Sequence, residues 1–351
     1  MKKLIVFVIF TYLVLLFSGF SYAQSNQQVI DIAYLAGSWG ENLAYSLAGS
    51  EIVTKYVPEI RSSLVKSAGS EMNTQMAATM APNSIMYHTT SMDFVASYFG
   101  VDPWEEAYPN QRLLTSYTPG ALSFVGSVPG AEMKDMVGKS ISVLPLPSLQ
   151  LAFANNVLEL LNLTGKVKVV QLDFGANEDA LRDGLTSGLL CSIYGPPGYE
   201  TLSPAMQEVL YALKNKLFWI RVPKEIVAEA CTKLKSGFGV REIEPGDDML
   251  PEEGRTNFGQ TLTFSALSVR GDMDEGIAYK MTKAILEHTD EFADYDPNGK
   301  FVNPKSIAES LAYATPDMIH PGATKYYKEA GLWDIYLEAR KKFVSDVGEY
   351  E

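Results

Sequence analysis

Two Gly-Ser pairs stand where a strand-like apolar run gives way to a helical pattern. Gly37-Ser38 follows the run 29–36, and Gly69-Ser70 follows the run 64–68. The first turn of a helix has backbone N–H groups without partners and the positive end of the helix dipole, so it can bind an anion without a charged side chain. The glycine lets a ligand approach the backbone, and the serine either caps the helix or binds the ligand. Both turns therefore predict sites for a carboxylate.

A third turn of this kind contains Ser148, between the strand-like run 140–144 and the helical run 149–161. Residues on opposite walls of a cleft can enclose one small molecule, so the three turns together predict a binding cleft. Trp39 and Tyr194 either line this cleft or pack in the interior.

One acidic residue conflicts with a carboxylate site. Glu41 would repel an anionic ligand unless it points to solvent or meets a cation. Arg112 and Arg182 are the candidate cations, and the alternative is that both lie on the exposed surface.

Residue spacings typical of enzymes are absent from the sequence. Its three histidines share no metal-ligand spacing, and it contains no GxSxG elbow and no Walker A loop. Cys191 has no evident base partner, which disfavours an enzyme without eliminating one. Cys191 and Cys231 are too far apart for a CxxC motif, and an oxidising compartment would permit them to pair, so a disulfide stays open.

The N-terminus has the pattern of an export signal. Lys2 and Lys3 precede the apolar run 4–17, and Ser21-Tyr22-Ala23 places small residues at a cleavage position. The apolar run is shorter than the roughly 20 residues of a spanning helix, and no cysteine for a lipid anchor is near. We expect a signal peptide at residues 1–23, cleaved after Ala23, a periplasmic location and no direct membrane insertion of the mature chain.

The net charge and the length of the mature chain limit its partners and its number of lobes. Cleavage removes two lysines and no acid, which changes the formal net charge from −13 to −15. Such an acidic chain disfavours nucleic acid and anionic lipid as partners. The remaining 328 residues exceed the roughly 250 to 300 at which a single core stops growing, so two lobes are expected.

Strands alternate with helices along the chain, which predicts an α/β protein with mostly parallel sheets flanked by helices. Two further strand-like runs, 121–128 and 262–269, lie where the residue composition of the chain changes, and each could pass from one lobe to the other. The predicted organisation is therefore residues 24–122 with 268–351 as lobe 1 and residues 123–267 as lobe 2, joined by a two-strand hinge. A hinge would let the lobes close on a ligand. The alternative is that the two lobes keep one fixed orientation relative to each other.

The segment Ile319 to Gly331, IHPGATKYYKEAG, has Pro321 where a helix would begin and Gly331 where it would end. This string resembles the C-terminal signature of the TAXI family, the periplasmic solute receptors of one branch of TRAP transporters. Gly69 to Asn73 resembles the family's Gly-Ser-x-x-Asn motif. Ala36 to Gly40 matches the family's first turn, and the pair His88-Thr89 stands at the end of a matching strand. Gly195-Pro196-Pro197 is similar to a later family turn.

The resemblance implies a two-lobed periplasmic binding protein type II fold that delivers a small carboxylated solute to ion-gradient-driven TRAP transporter membrane subunits. It implies no catalytic residue and no cofactor or metal. Together with the turns above, it leads to this predicted set of ligand-binding residues: Gly37, Ser38, Trp39, Asn42, Gly69, Ser70, Asn73, His88, Thr89, Ser148, Tyr194 and Gly195.

The chain departs from the family at the second wall, where Leu144 to Gln150 reads LPLPSLQ in place of a Gly-rich turn. Pro and Leu remove backbone donors and make this wall more apolar, so we expect a monocarboxylate with an apolar body. Two alternatives to a transport receptor stay open: a binding protein that reports to a membrane sensor, and an enzyme on the same fold that uses Cys191.

Overall fold

The computed structural model describes residues 29–37, 40–102, 104–145, 148–173, 175–195, 201–214, 216–243, 250 and 257–350. The predicted signal peptide and its cleavage point at Ala23 lie outside the described residues, as do Ser38 and Trp39. Within the described ranges, no helix is both long enough and apolar enough to cross a membrane.

The strands form a mixed sheet in the order β2-β1-β3-β11-β4-β7-β5-β6, and off this path β8 pairs with β7, β9 with β4 and β10 with β11. Short apolar and β-branched runs favour extended backbone, and helices cover these runs on the sheet faces. The strands are β1 (Ile30–Gly37), β2 (Ile60–Ser67), β3 (Ile85–Thr90), β4 (Gln111–Gly126), β5 (Ser140–Val143), β6 (Lys168–Gln171), β7 (Gly188–Tyr194), β8 (Thr201–Leu202), β9 (Phe218–Trp219), β10 (Gly239–Ile243) and β11 (Phe258–Arg270).

Two parallel groups of strands flank an antiparallel centre. In the first wing, β1 pairs in parallel with β2 and β3. In the second wing, β5 pairs in parallel with β6 and β7. Between them, β11 is antiparallel to β3 and β4, and β4 is antiparallel to β7. The predicted α/β class is confirmed, because parallel strands within each wing require the helical crossovers that the sequence pattern indicated.

The two central strands are the longest, with 16 residues in β4 and 13 in β11. The strand-like runs 121–128 and 262–269 of the sequence cover only residues 121–126 of β4 and 262–269 of β11. The prediction began β4 late because Pro119 and Gly120 resemble a strand end, yet the backbone continues through them in extended form. The pairing shifts register between Phe264 and Ala266, opposite this point, because proline has no N–H to donate.

The helices follow the strands in the predicted alternation. The Gly-Ser pair at Gly69-Ser70 does mark a helix start, since α2 begins at Ser70. The helices are α1 (Gly40–Tyr56), α2 (Ser70–Thr79), α3 (Ser91–Phe99), α4 (Leu149–Leu160), α5 (Ala176–Arg182), α6 (Pro204–Ala212), α7 (Lys224–Leu234), α8 (Glu275–Glu287), α9 (Pro304–Ser310), α10 (Pro321–Glu329) and α11 (Trp333–Val347).

The C-terminal His-Pro-Gly-Ala string packs α10 against α8. Nδ1 of His320 accepts a hydrogen bond from the Gly322 N–H at 3.1 Å, and Nε2 lies 3.1 Å from the Met273 carbonyl oxygen. The ring is therefore the neutral tautomer that donates from Nε2, and burial lowers the pKa of His320. A Cβ on Gly322 would collide with the main-chain oxygen of Glu275. Gly331 ends the segment with φ +70°, as predicted.

The two cysteines are buried as free thiols in different parts of the core. Cys231 belongs to the large apolar cluster beneath α7, and Cys191 belongs to a separate cluster around β7. The possible disulfide is therefore not formed, because packing holds the two side chains in separate apolar clusters.

Candidate functional site

A cavity with a volume of about 490 Å³ is lined by residues of both wings and of the strands between them. The middle of β4, at Gly120–Leu122, and the middle of β11, at Thr263–Ser265, line one part of it. Most of the remaining lining residues lie in the first turns or N-caps of α1 to α6 and in β7. This volume is in the range of sites that bind small molecules, and helix N-termini supply polar groups to it.

The structure brings half of the predicted ligand-binding residues to this cavity: Asn42, Gly69, Ser70, His88, Ser148 and Tyr194. Oδ1 of Asn42 accepts a hydrogen bond from the Ser265 hydroxyl, which connects α1 to β11 at the cavity. Gly37, Asn73, Thr89 and Gly195 are not among the lining residues. Ser38 and Trp39 lie outside the described residues.

Asn73 has a structural role that the sequence motif did not reveal. Its side chain is fully buried, and its amide donates hydrogen bonds to the carbonyl oxygens of Leu35, at 3.3 Å, and His88, at 2.9 Å. Asn73 therefore connects α2 to β1 and β3, and its contact with a ligand stays a prediction. These contacts hold the Gly69-Ser70 turn in place.

His88 and Thr89 were both predicted to bind the ligand, but successive side chains of β3 point to opposite faces of the sheet, so the two residues do not share one surface. His88 lines the cavity, is only 2% exposed, and neither ring nitrogen has a hydrogen-bond partner among the described residues. Burial lowers the pKa of His88 to about 4, so the imidazole is neutral at pH 7. Thr89 is buried, and its hydroxyl donates to the Thr90 carbonyl oxygen at 3.3 Å.

Ser148 caps α4 beside the cavity, since its hydroxyl oxygen accepts a hydrogen bond from the Gln150 N–H at 3.2 Å. The sequence reasoning missed two neighbours in the second wing. Gln150 and Asn177 line the cavity, each is 3% exposed, and the side-chain carbonyl oxygen of each has no partner in the described part of the chain. Both lie in the first turn of a helix, which was the signal that could have identified them.

The sequence reasoning also missed a pair of carboxyl groups, Glu71 and Asp93, in the first turns of α2 and α3. Both line the cavity. Burial raises the pKa of Glu71. Burial and the nearby Glu71 raise the pKa of Asp93 to about 7, and the hydroxyls of Thr90 and Ser70 partly offset this rise.

No lysine or arginine is among the described residues that line the cavity, whereas Glu178 and Glu208 also line it. Arg112 instead donates to the main-chain oxygens of Pro109 and Gln111, each at 2.7 Å. Arg182 pairs with Asp179 at 2.6 Å and with Asp183 at 3.0 Å. Neither arginine therefore serves the cavity as a counter-charge.

Cys191 lines the cavity, but its surroundings do not activate it. Its thiol donates to the Ser192 carbonyl oxygen at 3.3 Å, and burial raises the pKa of Cys191, which disfavours the nucleophilic thiolate. Within the described residues, no three His, Cys, Asp or Glu side chains are grouped so that they could hold a metal ion.

Comparison with solved structures shows the fold. MatC from Rhodopseudomonas palustris, solved with bound malate, is similar with a TM-score of 0.50 at 12% identity, over 88% of this chain and 99% of that one. A TctC solute binding protein from Polaromonas has a TM-score of 0.47 at 12% identity, over 92% of this chain and 100% of that one. The periplasmic sulfonate-binding protein SsuA from Methylobacillus flagellatus KT has a TM-score of 0.46 at 13% identity, over 91% and 86%.

Sequence comparison identifies the family. No curated protein matches the chain. A family model described as the NMT1-like family matches residues 38–331, which include the cavity-lining helices and the C-terminal His-Pro-Gly-Ala string. The chain therefore belongs to the NMT1-like family.

Proposed function

We propose that this chain is a periplasmic solute receptor that captures a small carboxylated solute between two lobes and delivers it to a TRAP-type membrane transporter. The observation that carries the proposal is the cavity of about 490 Å³, because residues of both wings and of both central strands line it. A receptor needs an enclosed volume that two parts of the chain complete together, and a cavity lined in this way can open and close.

The proposed lobes are residues 24–122 with 268–351, and residues 123–267. β4 and β11 are the two crossings, since β11 pairs with β3 of the first wing and β4 pairs with β7 of the second. The register shift between Phe264 and Ala266 lies beside the cavity and offers a place for bending. Closure around this point would bring the first turns of α2 and α3 toward those of α4 and α6.

The acid group of the solute is proposed to bind at the second wing. The first turns of α4 and α6 contain no acidic residue, whereas those of α2 and α3 contain Glu71 and Asp93. The first turn of α5, also in the second wing, contains Glu178 and Asp179, so the acid group is assigned to α4 and α6 alone. An anion is favoured where a helix dipole is not already neutralised by a side chain. Apolar residues from both wings also line the cavity and suit an apolar ligand body, namely Met92, Leu122, Leu144, Leu190, Ile193 and Phe264.

Delivery to TRAP membrane subunits rests on the resemblance of Ile319 to Gly331 and Gly69 to Asn73 to the TAXI family. A receptor that reports to a membrane sensor would use the same cavity. Neighbouring genes for multi-spanning permease subunits would favour transport, and their absence beside a sensor gene would favour signalling.

The test is to purify the mature chain, denature it and identify the released small molecule by mass spectrometry. Calorimetry with the identified acid and small-angle scattering should then show binding and a smaller radius of gyration. Gln150→Leu, which removes a lining amide whose carbonyl oxygen has no partner among the described residues, should weaken binding about tenfold. Gln207→Leu changes an amide outside the lining and should have no effect.

Two results would contradict the proposed function. One is a protein that releases no small molecule and binds none of a panel of mono- and dicarboxylates. The other is turnover of the added acid that Cys191→Ala abolishes, which would assign the cavity to an enzyme.

A further inference from the structure

The two central strands change their neighbours at one place. β10 pairs with β11 at Phe258–Leu262, and β3 pairs with β11 at Ser265–Val269, so Thr263 and Phe264 lie between these two ladders. β4 pairs with β11 as far as Gly120 and with β7 from Gly120 onward. Both strands therefore pass from one set of neighbours to the other where Gly120 is paired with Thr263.

Two hydroxyl groups accept main-chain hydrogen bonds beside this pair. The Phe264 N–H donates to Oγ of Ser91, the first residue of α3, at 3.1 Å. The Leu122 N–H donates to Oγ1 of Thr261 at 2.8 Å. Ser91 and Thr261 are both fully buried. In each bond one residue belongs to proposed lobe 1 and the other to proposed lobe 2.

Ser91 also meets the second proposed lobe through its main chain. A Cβ on Gly237, in the segment before β10, would collide with the main-chain oxygen of Ser91 and would lie 3.0 Å from the side chain of Val95. Glycine at this position therefore lets the segment lie directly against α3. The start of α3 is held from two sides, by the N–H of Phe264 and by the backbone at Gly237.

Buried hydroxyls commonly satisfy nearby main-chain groups without any role in motion. Thr282 is such a case, since its hydroxyl donates to the carbonyl oxygen of Ala278 in the same helix at 2.8 Å. Ser91 and Thr261 differ from it, because their bonds connect separate segments where the proposed lobes meet. Neither is among the described residues that line the cavity, so an effect of either on solute binding would act through the orientation of the lobes.

We propose that Ser91 and Thr261 are positioning residues of a pivot at the Gly120–Thr263 pair, and that their hydroxyls hold the orientation in which both wings line the cavity. The inference rests on the proposed function, in which two lobes close on a solute. A buried N–H that loses its acceptor is costly, and a bend that lets water reach this N–H removes the cost. Loss of either hydroxyl should therefore favour a more open orientation of the lobes.

Spin labels on the two wings measure this orientation without a solute. Gln75→Cys in α2 and Tyr211→Cys in α6 replace exposed residues, while the native cysteines are buried and should stay unlabelled. In the labelled mature protein, Ser91→Ala and Thr261→Val should each raise the ratio of longer to shorter label distances about three- to tenfold. Calorimetry with 3-phenylpropanoate, a monocarboxylate with an apolar body, should show weaker binding by up to about tenfold.

Two further variants separate the pivot from a general loss of stability. Thr261→Ser keeps the hydroxyl and should keep the wild-type distances. Thr282→Val removes the hydroxyl of another fully buried threonine, and it should leave the distances unchanged even if urea denaturation shows the same loss of stability as in Thr261→Val. An equal shift of the distances in Thr282→Val and Thr261→Val would overturn the pivot.

Label distances that match the wild type in both Ser91→Ala and Thr261→Val would also overturn the pivot. The receptor function would then still be judged by the molecule that the purified protein releases. A protein that shows the expected distances but releases and binds no small molecule would support the pivot and contradict the receptor function.

Discussion

The side-chain amide of Asn73 donates a hydrogen bond to the carbonyl oxygen of His88 at 2.9 Å. The same amide donates to the carbonyl oxygen of Leu35 at 3.3 Å. Through these two bonds one residue of α2 connects β1 and β3, four residues after Gly69. The orientation of the first-wing wall of the cavity therefore depends on a side chain that does not line it.

Asn73→Ala should lower the free energy of unfolding by about 1–3 kcal/mol, because it removes both hydrogen bonds from a fully buried position. Urea denaturation followed by circular dichroism measures the loss. Asn156→Ala is the control, since its half-buried amide donates one hydrogen bond at 3.3 Å to Ala230. A smaller loss in Asn73→Ala than in Asn156→Ala would contradict the structural role of Asn73.

Gly322→Ala should destabilise the protein by about 2–3 kcal/mol, because the added Cβ overlaps main-chain atoms of α8 that cannot move aside. Thermal unfolding monitored by circular dichroism measures the effect. Gly331→Ala is the comparison: its Cβ would have no neighbour within 4 Å, and only the φ of +70° opposes it. A cost of about 1 kcal/mol is expected there. Equal effects would mean that α8 and α10 are not closely packed.

Both cysteines should remain free thiols in the folded protein. Burial raises the pKa of each thiol above its ordinary value, so neither should react with Ellman's reagent in the folded state, and both should react after denaturation. Reductant should leave the melting temperature unchanged. A lower melting temperature in dithiothreitol, or a Cys191–Cys231 peptide in a non-reducing digest, would show that the two clusters are arranged differently.

Asp93→Asn should change the pH dependence of stability. The folded-state pKa of Asp93 is about 7, above its ordinary value, so the folded protein holds this proton more tightly than the unfolded chain. The resulting stabilisation is present below about pH 4 and is lost as the pH rises to about 7. The variant lacks this loss, so its advantage over the wild type should grow across that range in urea titrations.

Glu71→Gln tests whether the neighbouring carboxylate helps to raise the pKa of Asp93. Removing the neighbouring carboxylate lowers the pKa of Asp93, so the wild-type loss of stability with rising pH should become smaller. Stability curves of the wild type and Asp93→Asn that run parallel from about pH 4 to about pH 8 would contradict a raised pKa.

Much of the fold was predictable from local signals. Apolar strand-like runs followed by small residues predicted β1, β2 and the helices after them, because these preferences act between residues near in sequence. Pro321 and Gly331 were also identified as the limits of one helix for local reasons. The start of β4 was missed, because Pro119 and Gly120 are typical of a strand end, and pairing with β11 and β7 keeps this strand extended.

By itself, the sequence determined the α/β class, the alternation of elements and the use of helix first turns at the cavity, since each follows from backbone preferences over a few residues. The tertiary structure alone decided that the amide of Asn73 binds two main-chain oxygens and that the cysteines stay apart. It also decided that Glu71 and Asp93 come together with no lysine or arginine among the described residues that line the cavity. Burial and the distance between groups remote in sequence set hydrogen-bond partners and charge, and these exist only once the helices have packed on the sheet.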